Sequence, residues 1–88
     1  MSERILKYEL PGPDCVIDAV AGHPLSVGMQ GASLVVWLRT NAEAREVRRR
    51  FVSVNTGDEF AGGPLRYIGT ATSGNGVVWH VFEGETDA

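Results

Sequence analysis

The sequence contains a single cysteine, Cys15, and few positive charges. One cysteine cannot form a disulfide within the chain, so packing alone must hold the fold, which suits a reducing compartment such as the cytoplasm. The chain has 8 Lys and Arg against 11 Asp and Glu, which gives a formal net charge of −3. This balance is opposite to the charge of a general nucleic-acid-binding protein, so we do not expect nucleic acid as a partner.

Long apolar runs are also missing from the sequence. The longest candidate runs only from Leu34 to Leu38, whereas a membrane-spanning helix needs about 20 apolar residues. The opening residues, MSERILKYELPG, contain charges and a Pro-Gly pair in place of the long apolar region of a secretory signal. We therefore expect a cytoplasmic protein without a membrane partner.

Sequence motifs of enzymes and metal sites are absent as well. The chain has no Gly-x-Ser-x-Gly elbow, no phosphate-binding Gly-x-x-x-x-Gly-Lys loop and no His-Glu-x-x-His pair. Its two histidines, His23 and His80, and its acidic residues show no spacing that brings three metal ligands together. We therefore predict no catalytic residue, no metal and no cofactor, and we expect that the protein is not an enzyme.

What the sequence has is a series of short strand patterns separated by 11 glycines and 4 prolines. Leu6, Tyr8 and Leu10, for example, alternate with Lys7 and Glu9, a period of two that is typical of a half-buried strand. The predicted strands are Arg4–Leu10, Cys15–Val20, Pro24–Gln30, Ala32–Arg39, Glu46–Asn55, Leu65–Thr72 and Gly76–Glu83. The pattern predicts one all-β domain over residues 1–88, a small antiparallel β-sandwich or barrel of six to seven short strands.

The connections between these strands carry three further predictions. The clearest hairpin joins the last two strands, with Gly74 and Asn75 as the residues suited to positive φ. The segment Thr40–Glu46 is predicted as a hairpin loop between the fourth and fifth strands, although a single helical turn is the alternative there. Residues 84–88 are predicted to form a frayed tail.

Four motifs follow one another along nearly the whole chain. They are Ile-x-Lys-Tyr-x-Leu (Ile5 to Leu10), Leu-Ser-Val-x-x-Gln-x-x-x-Leu-x-x-Trp (Leu25 to Trp37), Arg-Arg-Phe leading to Thr-Gly (Arg49 to Gly57), and Tyr-Ile-Gly-Thr with Val-Trp-His-Val-Phe-Glu (Tyr67 to Glu83). With these motifs the sequence resembles a family of small proteins of unknown function that is common in bacteriophages and prophages. The resemblance implies a small β-rich fold and a phage or mobile-element origin, and it implies no chemistry.

Three consecutive arginines, Arg48, Arg49 and Arg50, are the one dense charge cluster. In a strand, Arg49 points away from its two neighbours and shares the face of Phe51. One interpretation is a charged edge strand, or cross-strand pairs with acidic residues, for which the candidates are Glu9, Asp18 and Glu46. The other interpretation is a ligand-binding site for an anion or phosphate, in which Arg39 joins from a paired strand and Trp37 stacks on a base.

Apolar and aromatic residues supply the candidate interface. Trp37 and Trp79 lie in the most apolar strands, where the simplest role is in the core. His80 shares a face with Phe82, and its structural interpretation is a partly buried ring that bonds to a carbonyl or a Tyr hydroxyl. If they are exposed, Trp79, His80 and Phe82 are the candidate interface residues.

The sequence therefore predicts a small non-enzymatic accessory protein of phage type that acts as a homo-oligomeric protein-interaction module. Its expected partners are a second copy of itself and, as a further candidate, a host protein. Two alternatives stay open. One is a protein that binds or sequesters a small nucleotide-like anion, and the other is a minor component of a virion.

Overall fold

The structure is a computed structural model that describes residues 2–86. Within these residues the chain forms seven strands and no helix. The strands are β1 (Glu3–Glu9), β2 (Asp14–Val20), β3 (His23–Gln30), β4 (Ser33–Asn41), β5 (Glu46–Asn55), β6 (Arg66–Thr72) and β7 (Val78–Gly84). Each corresponds to a predicted strand, so the all-β prediction is confirmed. Among the described residues there is accordingly no helix that could span a membrane.

The seven strands form two antiparallel sheets. A three-stranded sheet has the order β1-β4-β3, and a four-stranded sheet has the order β2-β5-β7-β6. Edge strands β3 and β6 approach each other, because a Cβ built on Gly69 would lie 3.2 Å from Cγ2 of Val27. The architecture is therefore a small sandwich in which the two sheets come close along one side.

The connection at Thr40–Glu46 differs from the prediction of a hairpin loop. Strand β4 pairs with β1 and β3, whereas β5 pairs with β2 and β7, so this segment crosses from one sheet to the other. The prediction that β4 and β5 pair was wrong. The physical reason is that each strand is the centre of a different sheet, because β4 is flanked by β1 and β3, and β5 is flanked by β2 and β7.

The core lies between the sheets and is made of apolar side chains that alternate along the strands. Val36 and Leu38 of β4 face Phe51 of β5 and Val81 of β7, and all four are fully buried. Tyr8 lies at the margin of this core, and its hydroxyl accepts a hydrogen bond from the Val20 backbone N–H at 3.3 Å. The two sheets are therefore joined mainly by side-chain packing.

The β6–β7 hairpin is confirmed, but its turn uses a different glycine. The Ser73 N–H donates to the Val77 carbonyl at 2.8 Å, and the Gly76 N–H donates to the Ser73 carbonyl at 2.9 Å. Gly76 has the positive φ, 88°, while Asn75 does not. The turn is longer than predicted, so the left-handed residue falls later in it.

The C-terminal tail begins later than predicted. Gly84 is the last residue of β7 and lies opposite Arg50 in the register of the sheet. Residues 87 and 88 of the predicted frayed segment 84–88 lie outside the described residues.

Candidate functional site

Arg49 is buried between the two sheets, where it forms the most extensive polar cluster of the core. Its Nε and Nη2 donate to the two carboxylate oxygens of Glu83, both at 2.7 Å. Its Nη1 donates to the carbonyls of Val20 at 2.8 Å and Gly22 at 3.0 Å. The guanidinium carbon also lies 5.9 Å from the ring centroid of Phe51. Arg49 therefore connects β5 to β7, to the end of β2 and to the turn between β2 and β3.

Two other arginines make similar two-point contacts on the surface. Arg39 donates from Nε and Nη2 to Glu3, at 2.6 and 3.0 Å, and so links β4 to β1. Arg50 donates to Asp14 at 2.8 and 2.7 Å and links β5 to β2. These hydrogen bonds favour the ionised carboxylates, so they hold the pKa of Glu3 and that of Asp14 below their usual values.

The structure does not bring the residues of the predicted anion site together. Arg39 and Trp37 lie on the three-stranded sheet, and the arginine cluster lies on the four-stranded sheet. Trp37 packs on its own sheet, because a Cβ built on Gly28 would lie 2.9 Å from Cζ3 of the indole. Arg48 is exposed and lies opposite Asp18, which was one of the predicted cross-strand partners.

Aromatic side chains gather on the outer face of the four-stranded sheet. The register places Val52, Phe82 and Tyr67 side by side on β5, β7 and β6. Phe60, from the loop after β5, stacks on Phe82 with ring centroids 5.7 Å apart, and Tyr67 contacts Phe82 edge-on at 5.6 Å. Phe60 and Tyr67 are 49% and 57% exposed. We call Phe60, Tyr67 and Phe82 the aromatic patch.

His80 lies beside the aromatic patch in a chain of hydroxyl groups. Its Nε2 is 2.6 Å from Oγ1 of Thr56, and its Nδ1 is 3.1 Å from Oγ1 of Thr70. The Tyr67 hydroxyl lies 2.6 Å from the same Thr70 oxygen. The ring is thus fixed by threonine hydroxyls and not by the carbonyl or tyrosine predicted as its direct partner. This chain connects the loop after β5 to β6 and β7.

Trp79 is separated from the other two candidate interface residues. It follows the alternation of β7 onto the inner face, which it shares with Val81, whereas His80 and Phe82 are on the outer face. Its indole is half-buried and borders clefts at the end of the sandwich.

The remaining reactive side chain, Cys15, is partly buried, and this burial raises the pKa of its thiol.

Several residues of these clusters were missing from the prediction. Glu3, Asp14 and Glu83 were not identified as the carboxylate partners of the arginines, and Phe60 and Tyr67 were not identified as exposed aromatic residues. The predicted β6–β7 hairpin was a usable signal for Tyr67, because pairing these strands brings it beside Phe82. Within residues 2–86, no group of three or more His, Cys, Asp or Glu side chains is placed to hold a metal ion.

Comparison with known proteins supplies a family. The family model described as a domain of unknown function, DUF7352, matches residues 1–88. No curated protein and no solved structure matches the chain.

Proposed function

Because the chain belongs to the DUF7352 family of unknown function along its whole length, we propose its role from the structure: a non-enzymatic protein-interaction module that pairs with a second copy of itself. The observation that carries this proposal is the aromatic patch. In a two-layer sandwich the outer face of a sheet meets water and is usually polar. Exposed aromatic side chains are enriched in protein interfaces, so their position on this face supports a binding role.

The charges around the aromatic patch favour a second copy as the partner. Asp58 and Glu59 precede Phe60 in the loop, and Arg48 lies on the same outer face along β5. One surface thus combines an apolar centre with charges of both signs. A two-fold symmetric contact places a surface against itself, so this mixture makes the face complementary to its own copy.

The size of the face indicates how strong such a contact is. Seven residues from each of the four paired strands cover roughly 450 Å², about half of the ~800 Å² that each partner contributes to a standard interface. The proposed dimer is therefore one that dissociates at micromolar concentrations and not a permanent assembly.

Sedimentation velocity from about 5 to 500 µM protein tests the dimer. We expect the wild-type chain to shift from monomer to dimer across this range. Tyr67→Glu and Phe60→Glu each place a charge in the patch and should weaken dimerisation about 30-fold or more, as loss of an interface hot spot does. The matched control is Ile5→Glu, because Ile5 is 61% exposed but lies on the other sheet.

Two results would overturn the proposed dimer. The first is a wild-type protein that stays monomeric at the highest concentration. The second is an equal loss of association in Ile5→Glu and in the patch variants. Circular dichroism of each variant confirms that the comparison is made between folded proteins.

The alternatives receive less support from the geometry. A site for a nucleotide-like anion needs free guanidinium groups, and Arg39, Arg49 and Arg50 each bind a carboxylate through two hydrogen bonds. A phage accessory role, a host-protein partner and a place in the virion stay predictions from the resemblance. Detection of the protein in purified phage particles would favour the place in the virion over the accessory role and the host-protein partner.

A further inference from the structure

The two ends of the sandwich differ in the chemistry of their clefts. At one end the ion pair of Arg49 and Glu83 lies between the sheets and borders a depression of about 560 Å³ with mainly charged side chains. At the opposite end the inner face of the four-stranded sheet borders a cleft of about 400 Å³. This volume lies within the range of ligand-binding clefts, roughly 300–1,000 Å³. Besides Trp79 and Ser53, the cleft is formed mainly by the β1–β2 turn and the β3–β4 turn.

The walls of this cleft are largely apolar, with one large aromatic side chain. Trp79 forms one wall, and Leu10, Leu34 and Met29 contribute aliphatic and thioether surface. A second depression of about 320 Å³ shares Met29 and Trp79 with the first. The Trp79 indole therefore contacts open space on more than one side, where a flat ring can lie against it.

Ser53 gives the apolar cleft a polar group without a partner. The residue is 7% exposed and lies on the inner face, beside Val81 in the register. Its hydroxyl has no hydrogen-bond partner among residues 2–86, and every fully enclosed side-chain polar atom in that range has one. The Ser53 hydroxyl is therefore not fully enclosed, and because Ser53 lines the cleft, a ligand bound there can hydrogen-bond to it.

The charge at the rim selects among ligands. Glu9 is the one charged residue that lines the cleft within the described chain. A negative rim disfavours anions. We propose that this cleft binds a small non-anionic aromatic molecule whose ring lies against Trp79 and whose hydroxyl or amino group bonds to Ser53. The proposal does not rest on dimerisation, although Trp79 and Ser53 also line a neighbouring depression that Phe60 of the aromatic patch borders.

The experiment uses three probes of equal size and different charge: benzyl alcohol, benzylamine and benzoate. Each is titrated into the ¹⁵N-labelled full chain to about 10 mM, since probes with so few atoms bind with Kd of about 1 mM. Benzyl alcohol and benzylamine should shift the Trp79 indole N–H and the backbone signals of Ser53 and Ala32. The Trp37 indole N–H is the internal control and should not move, because Trp37 lies on the outer face of the other sheet.

Variants then assign the contacts. Ser53→Ala should weaken the binding of benzyl alcohol about 3- to 10-fold, which corresponds to the loss of one hydrogen bond. Trp79→Leu lacks the indole signal and should abolish the shifts of the Ser53 and Ala32 backbone signals. Trp37→Phe is the matched control and should bind as the wild type does. Tyr67→Glu should also bind normally, which separates this site from the proposed dimer.

Three outcomes would overturn the ligand site. They are no shift of the Trp79 indole with benzyl alcohol or benzylamine, equal shifts of both indoles, and benzoate binding as tightly as benzyl alcohol. The titration of the wild-type chain decides the matter by itself if Trp79→Leu does not fold.

Discussion

Three consecutive arginines in this chain have three different environments. Arg48 is exposed, Arg49 is buried against Glu83, and Arg50 binds Asp14 at the surface. The alternation of a strand separates Arg49 from its neighbours, and the pairing of β5 with β2 and β7 then supplies different carboxylates on the two faces. Arg49 and Arg50 link neighbouring strands through ion pairs, as the structural interpretation of the cluster expected, but their partners are Glu83 and Asp14 and none of the predicted Glu9, Asp18 and Glu46.

The Arg49–Glu83 pair should matter for stability in a way that a surface pair does not. The two side chains are only 9% and 17% exposed. Glu83→Ala leaves a buried guanidinium without its carboxylate, so we expect the free energy of unfolding to fall by about 3 kcal/mol. The double variant Arg49→Met, Glu83→Leu replaces both charges with apolar groups. Its free energy of unfolding should lie within about 1 kcal/mol of the wild-type value. Urea unfolding measures each value.

The control for this prediction is Asp14→Ala, which breaks a pair whose side chains are 35% and 56% exposed. Solvent screens such a pair, so its loss should cost only about 0.5 kcal/mol. If Glu83→Ala lowers the free energy of unfolding no more than Asp14→Ala does, the buried pair contributes no more to stability than an exposed pair.

At the scale of the elements, the strands were predictable and their partners were not. Period-two alternation and the positions of glycine and proline depend only on local sequence, and they placed all seven strands. The partner of a strand depends on packing between distant segments. Segment Thr40–Glu46 is short enough for a hairpin, yet β4 and β5 are each the centre of a different sheet. The local pattern contains nothing that distinguishes these two outcomes.

The β6–β7 turn offers a direct test of backbone conformation. A Cβ built on Gly74 or on Gly76 would meet no atom within 4 Å, and only Gly76 has a positive φ, 88°. Gly76→Ala should therefore lower the free energy of unfolding by about 1–2 kcal/mol through strain in the left-handed region. Gly74→Ala should leave it unchanged or raise it by about 0.5 kcal/mol.

Thermal and urea unfolding of the two variants measure this difference. Because both sites have open space, side-chain clashes do not contribute, and the comparison isolates the conformational cost. Equal stability of Gly74→Ala and Gly76→Ala would contradict the assignment of the left-handed residue.

At the scale of the whole molecule, the candidate sites depend on what covers each face. His80 and Phe82 were predicted on one face, and the register confirms that they share it. Phe60 and Tyr67 were missed because their exposure depends on where the loop after β5 folds. Trp79 was grouped with the interface candidates although its position on the inner face follows from the alternation. Its exposure there arises from the open end of the sandwich, which is a property of the tertiary structure alone.

The surface ion pairs predict how stability changes with pH. Hydrogen bonds from Arg39 and Arg50 lower the pKa of Glu3 and of Asp14 in the folded chain. A carboxyl group with a lowered folded pKa stabilises the fold above its unfolded pKa, about 4, and this contribution is lost as the pH falls through the lowered value. Urea midpoints should therefore fall as the pH decreases from about 5 to 3, as expected when paired carboxylates protonate.

The variant Glu3→Gln, Asp14→Asn isolates these two groups from the other acidic residues. It should be less stable than the wild type at pH 7, by a small amount because both pairs are exposed. The difference should shrink as the pH falls below about 4, because the wild-type carboxyl groups then become neutral as well. Added salt should also reduce it at pH 7. Curves that stay parallel from pH 7 to pH 3 would mean that neither ion pair contributes to the acid sensitivity of the fold.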